Sequence, residues 1–137
     1  MAVPTVTDVG VEVRHSYTRI AQVALVKGEQ VLQGTAPNQV TLPASQGLRC
    51  DGITLDDAAI GEPVSICDDG DVYVIDELGT LNKGDNVTNS GTSGKLGQGV
   101  VAASGDWVNA RVIGKDATDA AQYVIARVEK SNAIPLA

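Results

Sequence analysis

His15 is the only histidine in the chain, and the chemistry it could support is proton transfer to or from a nucleophile. The nucleophile beside it is Ser16. Adjacent residues of a strand point to opposite faces, so the two would not meet there. Cys50 is a second candidate nucleophile, but no G-x-S-x-G elbow accompanies either residue. His15 therefore reads as a surface or interface residue. Asp68-Asp69-Gly70-Asp71 has the look of a calcium loop, yet the spacing D-x-[DN]-x-[DN]-G with a distal Glu is not met. The pairs Asp56/Asp57 and Asp76/Glu77 carry the residue types of a glycosidase dyad. Such a dyad needs a cleft, and sugar sites lean on aromatic platforms; this chain has one Trp, three Tyr and no Phe. Gly91-Thr92-Ser93-Gly94-Lys95 lacks the phosphate-loop spacing, and Lys95 is followed by Leu96. Cys50 and Cys67, without C-x-x-C spacing and with a single His, make a poor metal-ligand set. The residue types thus lead to an expectation of no catalytic group, no cofactor and no metal, in a protein that binds and does not transform.

Charge narrows the partners. The 137 residues carry a net charge of −7. Phosphate backbones and anionic lipid surfaces attract Lys and Arg, so neither nucleic acid nor membrane is an expected partner. Residues 1–27 hold two acids against three bases, a balance of +1 that leaves −8 for the remainder. Nine acids and no base lie between Asp51 and Glu77. That run reads either as a solvated set of turns or as a body that repels its own copies beside a near-neutral arm. No stretch of about 18 apolar residues is present to span a bilayer. Met1-Ala2-Val3-Pro4-Thr5 lacks the basic start and apolar run of a signal peptide. Synthesis in a cytoplasm is expected, with Cys50 and Cys67 buried and unbonded.

The elements that must position these residues are strands. Apolar residues make up 43% of the chain, mostly Val, Ile, Leu and Ala, and β-branched side chains suit a pleated sheet. Fifteen glycines and five prolines punctuate the pattern. Val9, Val11 and Val13 alternate with Gly10 and Glu12 as a short strand, and Ile20–Val26 is a second apolar run. The spacing predicts further strands at 30–33, 39–42, 48–54, 62–67, 71–75, 98–103, 107–113 and 123–128. Asp69-Gly70 is a hairpin signal, Asn82–Asp85 a turn, and Ser104-Gly105-Asp106 a hairpin loop between the strands that flank it. Residues 90–99 read as a mobile surface loop. Gly52 followed by Asp57-Ala58-Ala59 is echoed by Gly114 followed by Asp119-Ala120-Ala121. Each copy predicts a strand, a tight helical turn and a second strand. The expected fold is all-β: a small barrel or sandwich with short helical turns, built as an N-terminal arm or strand pair at 1–27 and a body at 28–137.

From about residue 28 to residue 128 the glycine-punctuated pattern resembles the cement, or head decoration, proteins of tailed phages. The residues that carry the likeness are Gly28-Glu29-Gln30-Val31, then Gly52-Ile53, Asp57-Ala58, Gly61 and Val64. Gly70 with Val72, Gly84-Asp85-Asn86-Val87, and Ile113-Gly114-Lys115-Asp116-Ala117 before Ala121 and Val124 continue it. Ala121-Gln122 stands where that family usually has Ala-Gly, and the N-terminal region is outside the likeness. The resemblance implies a homotrimer on the outer surface of the assembled capsid. It would be made in the host cytoplasm and would bind the major capsid protein and its own copies. The expected partner-binding residues are Val9, Val11, Val13, Arg14, His15, Tyr17 and Arg19 of the arm. Trp107 joins them, reading equally as core packing or as a subunit contact. The competing reading is a non-catalytic β-module of a phage tail, fibre or baseplate that binds a receptor or glycan. A carrier domain would need a lysine on a hairpin turn, and Lys83 is the one residue so placed.

Overall fold

A computed structural model describes residues 11–115, 123–129 and 135–136. Among these residues the secondary structure is all strand: β1 (Glu12–Ala21), β2 (Gln30–Gln33), β3 (Gln39–Thr41), β4 (Gly52–Thr54), β5 (Pro63–Ile75), β6 (Asn86–Asn89), β7 (Gly99–Val101), β8 (Ala110–Lys115) and β9 (Tyr123–Glu129). The nine form one sheet in the order β1-β3-β2-β4-β5-β9-β8-β6-β7. An added ladder joins β1 to β5, so β1, β3, β2, β4 and β5 are linked in a ring of pairings. The other four strands extend from β5, and the sheet as a whole is not a closed barrel.

The all-β expectation holds, and three local expectations are corrected. No helical turn occurs among the described residues. In the first copy of the echo, Ala58 instead makes an antiparallel bridge to Leu25, and that pairing satisfies the backbone groups a helical turn would have used. Residues 116–122 of the second copy lie outside the described part. Asp69-Gly70 is not a hairpin: β5 runs straight through it for 13 residues. Ser104-Gly105-Asp106 does not join hydrogen-bonded neighbours either, because β6 lies between β7 and β8. β6, which the spacing did not place, is Asn-Val-Thr-Asn, with a single aliphatic residue and so no apolar alternation to read.

β5 organises the molecule. One edge pairs with β1 from Pro63 to Asp71; the other pairs first with β4 and then, from Asp69 to Ile75, with β9. Alternation along the strands sends one set of side chains inward. Val72 and Val74 of β5, Val124, Ala126 and Val128 of β9, Ala110 and Val112 of β8, and Val87 of β6 form one core with Ile53, Cys67 and Leu81. A second core holds Ala21, Leu25, Val31, Val40, Ala58, Val64 and Ile66, with Tyr17 packed at its margin. No aromatic residue is fully buried in either. The cores rest on many aliphatic side chains, each worth roughly 1.5–3 kcal/mol when buried, with no single dominant anchor. Both cysteines are free and buried, as expected. Burial pushes the Cys50 thiol up to about 12 and raises Cys67 as well.

The loop at residues 90–99 divides in two. Residues 91–95 are exposed, whereas Ser90, Gly97 and Gly99 are buried. The Gly97 carbonyl accepts from the Gln30 amide at 2.7 Å, which ties the loop's end to β2. No helix among the described residues is long and apolar enough to cross a membrane.

Candidate functional site

Most of the expected partner-binding residues lie on one strand. β1 carries Val13, Arg14, His15, Tyr17 and Arg19, and Val11 directly precedes it. Val9 lies outside the described residues. Positions 11–16 are all exposed, so this half of β1 shows both faces to solvent. Val11 and Val13 are 47% and 42% exposed, a small apolar patch at the start of the strand. The described part of the 1–27 segment is thus laddered onto β5 over most of its strand, and its end pairs in parallel with β3.

The β1–β5 ladder slips twice, and the slips place the charged groups. Val13 pairs with Gly70 and His15 with Asp69, so Arg14 is one extra residue on β1. His15 pairs with Asp69 and Ser16 with Cys67, so Asp68 is one extra residue on β5. The two bulges cancel, and each turns a charged side chain across the seam. Arg14 Nε donates to Asp69 Oδ1 at 3.0 Å. His15 Nδ1 lies 2.5 Å from Asp68 Oδ1. Gly70 is needed at the crossing for space: a Cβ there would sit 2.5 Å from the Glu12 carbonyl oxygen and 2.9 Å from Cys67 Sγ. The glycine that looked like a turn signal serves close backbone approach.

One row of residues crosses five strands here: Glu12, Asp71, Arg127, Arg111 and Asn86 are successive ladder partners on β1, β5, β9, β8 and β6. Asp71 is buried although it is ionisable. It accepts from Arg127 Nε at 3.0 Å and Nη2 at 3.3 Å, and Arg14 Nη2 stands 3.8 Å away. The hydrogen bond to Asp69 raises the Arg14 guanidinium, and that to Asp71 raises Arg127. Arg111 has no such partner among the described residues, although it lies opposite Arg127.

Further along β1, a depression of about 330 Å³ opens between this strand and β2–β3. His15, Tyr17, Arg19, Gln33, Asp51 and Asp68 are at its walls. Arg19 lies over the Tyr17 ring at 4.5 Å, and the Tyr17 hydroxyl points to the Asp51 carbonyl at 3.5 Å. Burial, with Asp51 and Asp68 adding to it, pushes the Tyr17 phenol up to about 12. The groups here are paired hydrogen-bonding groups on a strand surface, an arrangement suited to recognition. Among the described residues, no three His, Cys, Asp or Glu side chains gather where a metal ion could be held.

Trp107 belongs to another region. It is half-buried, its amide donates to the Gly47 carbonyl at 3.0 Å, and it bridges to Pro135. Arg49 covers its ring at 5.4 Å. None of these contacts reaches β1. Sequence reasoning missed Asp68, Asp69, Asp71, Arg111 and Arg127 as members of the surface. The alternation of Arg111 with Ala110 and Val112 was a signal that it faces out. Nothing local announced that four residues resembling a turn run through a long strand.

No protein-family model matches the chain, and no curated protein matches it in sequence. Among solved structures, the chain is similar in fold to the N-terminal base of the head fibre protein gp8.5 of bacteriophage phi29. The likeness has a TM-score of 0.59 at 17% identity and covers 85% of this chain and 94% of that one.

Proposed function

We propose that this chain is a non-catalytic structural virion protein that attaches to the outer surface of an assembled phage capsid and stabilises it, acting as a homotrimer. The observation that carries this reading is the likeness in fold to a phage head-fibre base over most of both chains. The exposed β1–β5 surface adds to it. Its charged groups are arranged across a broad, shallow face suited to another protein surface. A protein that binds the assembled shell and not the loose subunit stabilises the shell by mass action. Many copies make the total strong even where each contact is modest. The capsid-facing residues in this reading are Val11, Val13, Arg14, His15, Tyr17 and Arg19.

The same likeness favours a second reading, in which the chain is the base that anchors a fibre to the head. Co-sedimentation with empty shells, paired with shell melting, tests both. A cement protein pellets with shells at many copies and raises their melting temperature. An anchor pellets at few copies and leaves the melting temperature unchanged. A chain that stays in the supernatant sinks both readings.

A further inference from the structure

The turn at Ala59-Ile60-Gly61-Glu62 is rigid and carries an apolar residue at its tip. The Glu62 amide donates to the Ala59 carbonyl at 3.0 Å, and Glu62 Oε1 accepts from the Ala59 amide at 2.8 Å. Gly61 sits at φ 85°, the left-handed geometry that the third position of a type II turn requires. The Gly61 amide is tied to the Ala21 carbonyl at 2.8 Å, and Ala58 is bridged to Leu25. Ile60 is nevertheless 70% exposed, the most exposed large apolar side chain among the described residues. Asp56, Asp57 and Glu62 surround it with negative charge and no cation is paired with them among the described residues.

The complementary surface lies elsewhere. A groove of about 640 Å³ opens between β6, β8, β9 and Pro135–Leu136. Its floor is apolar, with Val108, Ile113 and Leu136, and its rim carries Lys83 and Arg111. Neither cation has an ion-pair partner among the described residues, in a chain whose net charge is −7. Arg127 at the same rim is neutralised by Asp71, and Glu129 is the acid there. Ile60 precedes the start of β5 at Pro63, whereas the groove flanks the β9 residue paired with Asp71. Eight residues of extended strand separate those points by roughly 25 Å, so the tip cannot reach the groove of its own chain.

We propose that the groove receives the Ile60 turn of a second copy of this chain. Ile60 would enter the apolar floor while Asp56 and Asp57 face Lys83 and Arg111. The Leu78 turn, also exposed, fits less well because both its acids are engaged: Asp76 is buried and accepts from the Gly79 and Leu81 amides, and Glu77 accepts from the Ser90 hydroxyl. Tip and groove are different surfaces, so the contact is head-to-tail and closes into a ring where the rotation per copy permits. The proposal deepens the reading of the chain as a homotrimeric virion protein and rests on it.

Light scattering on the full chain tests it. Wild type is expected to self-associate, and Ile60→Asp and Arg111→Glu are each expected to weaken association on the order of 30-fold. Both positions are exposed, and unchanged melting of each variant shows that the fold is retained. An equimolar mixture of the two variants keeps one intact tip and one intact groove, so it is expected to form a heterodimer and no larger ring. Asp56→Lys combined with Arg111→Glu in one chain restores association. A monomeric wild type, variants that associate like wild type, or a mixture that stays monomeric overturns the proposal. Shell co-sedimentation is read separately, so failure to bind shells is not confused with failure of this interface.

Discussion

Two polar regions of this molecule use similar hydrogen bonds in opposite settings. On the β1–β5 seam, Arg14 pairs with Asp69 and His15 with Asp68 at two exposed bulges. Beneath the 42–51 loop, Gln30, Asn89 and Asn109 form a buried amide cluster. Asn109 Nδ2 donates to Gln30 Oε1 at 3.0 Å and to the Leu48 carbonyl at 2.9 Å, and its Oδ1 accepts from the Cys50 amide. Asn89 takes the Leu48 amide and donates to the Ser45 carbonyl. Gln30 Nε2 donates to the Thr88 carbonyl at 3.0 Å. Water competes at the seam, so its bonds set geometry more than stability. The cluster is buried, so breaking a bond there strands a buried partner. Burial, and not residue type, separates the surface available for a partner from the staple that holds a loop.

The hardest way to break that contrast is Asn109→Ala. It leaves a side-chain oxygen, a carbonyl and an amide unpaired, and a loss of about 3 kcal/mol is expected in denaturant unfolding. A loss below about 1 kcal/mol would show that the cluster is as solvent-compensated as the seam. Next comes Gly70→Ala. The added methyl meets the Glu12 carbonyl oxygen, so β1 must shift, at a cost of about 2 kcal/mol. Faster hydrogen exchange confined to β1 would accompany it. Thr88→Val acts in the opposite direction. Thr88 Oγ1 is the buried side-chain polar atom left without a partner among the described residues, and its removal should stabilise by about 1 kcal/mol.

Glu29 sharpens the contrast as a function of pH. Burial raises its carboxyl above the usual range, against the hydrogen bond that Val26 donates to it. The folded state then holds this proton more tightly than the unfolded state. Ionising Glu29 therefore costs stability, and the cost grows as pH rises through the interval between the two values. Glu29→Gln keeps the acceptor for Val26 and should be more stable than wild type at neutral pH, with the gap closing in acid. The smallest effect belongs to His15→Ala. Unfolding should change by less than about 0.5 kcal/mol, because the pair with Asp68 is exposed. Shell binding should weaken measurably, since the ring stands on the surface assigned to the capsid.

Much of the fold was legible because strand alternation and turn glycines are local signals. Gln30–Gln33 and the strand at Tyr123 stand where the spacing placed them, and Val72 and Val74 face the core opposite Tyr73. The single strand that groups Arg14, His15, Tyr17 and Arg19 was not legible: the spacing placed a strand at Val9–Val13 and a second apolar run at Ile20–Val26, and β1 covers the polar stretch between them. Asp69-Gly70 misled because a glycine between acids satisfies a tight turn and a close backbone crossing equally well. Only the neighbouring strand distinguishes the two, and it lies some 55 residues away in sequence.

What the amino-acid order determined by itself was the fold class: strand-forming aliphatic residues punctuated by glycine, with acidic charge and few aromatics. What the tertiary structure alone decided was which charges meet. Asp71, Arg127 and Arg14 come from three strands, and that Arg111 lacks an ion-pair partner among the described residues appears only once β8 lies between β9 and β6. The physical reason is range. Side-chain alternation acts over two residues, whereas strand order and register are set by burying two cores whose members are drawn from nearly the whole chain.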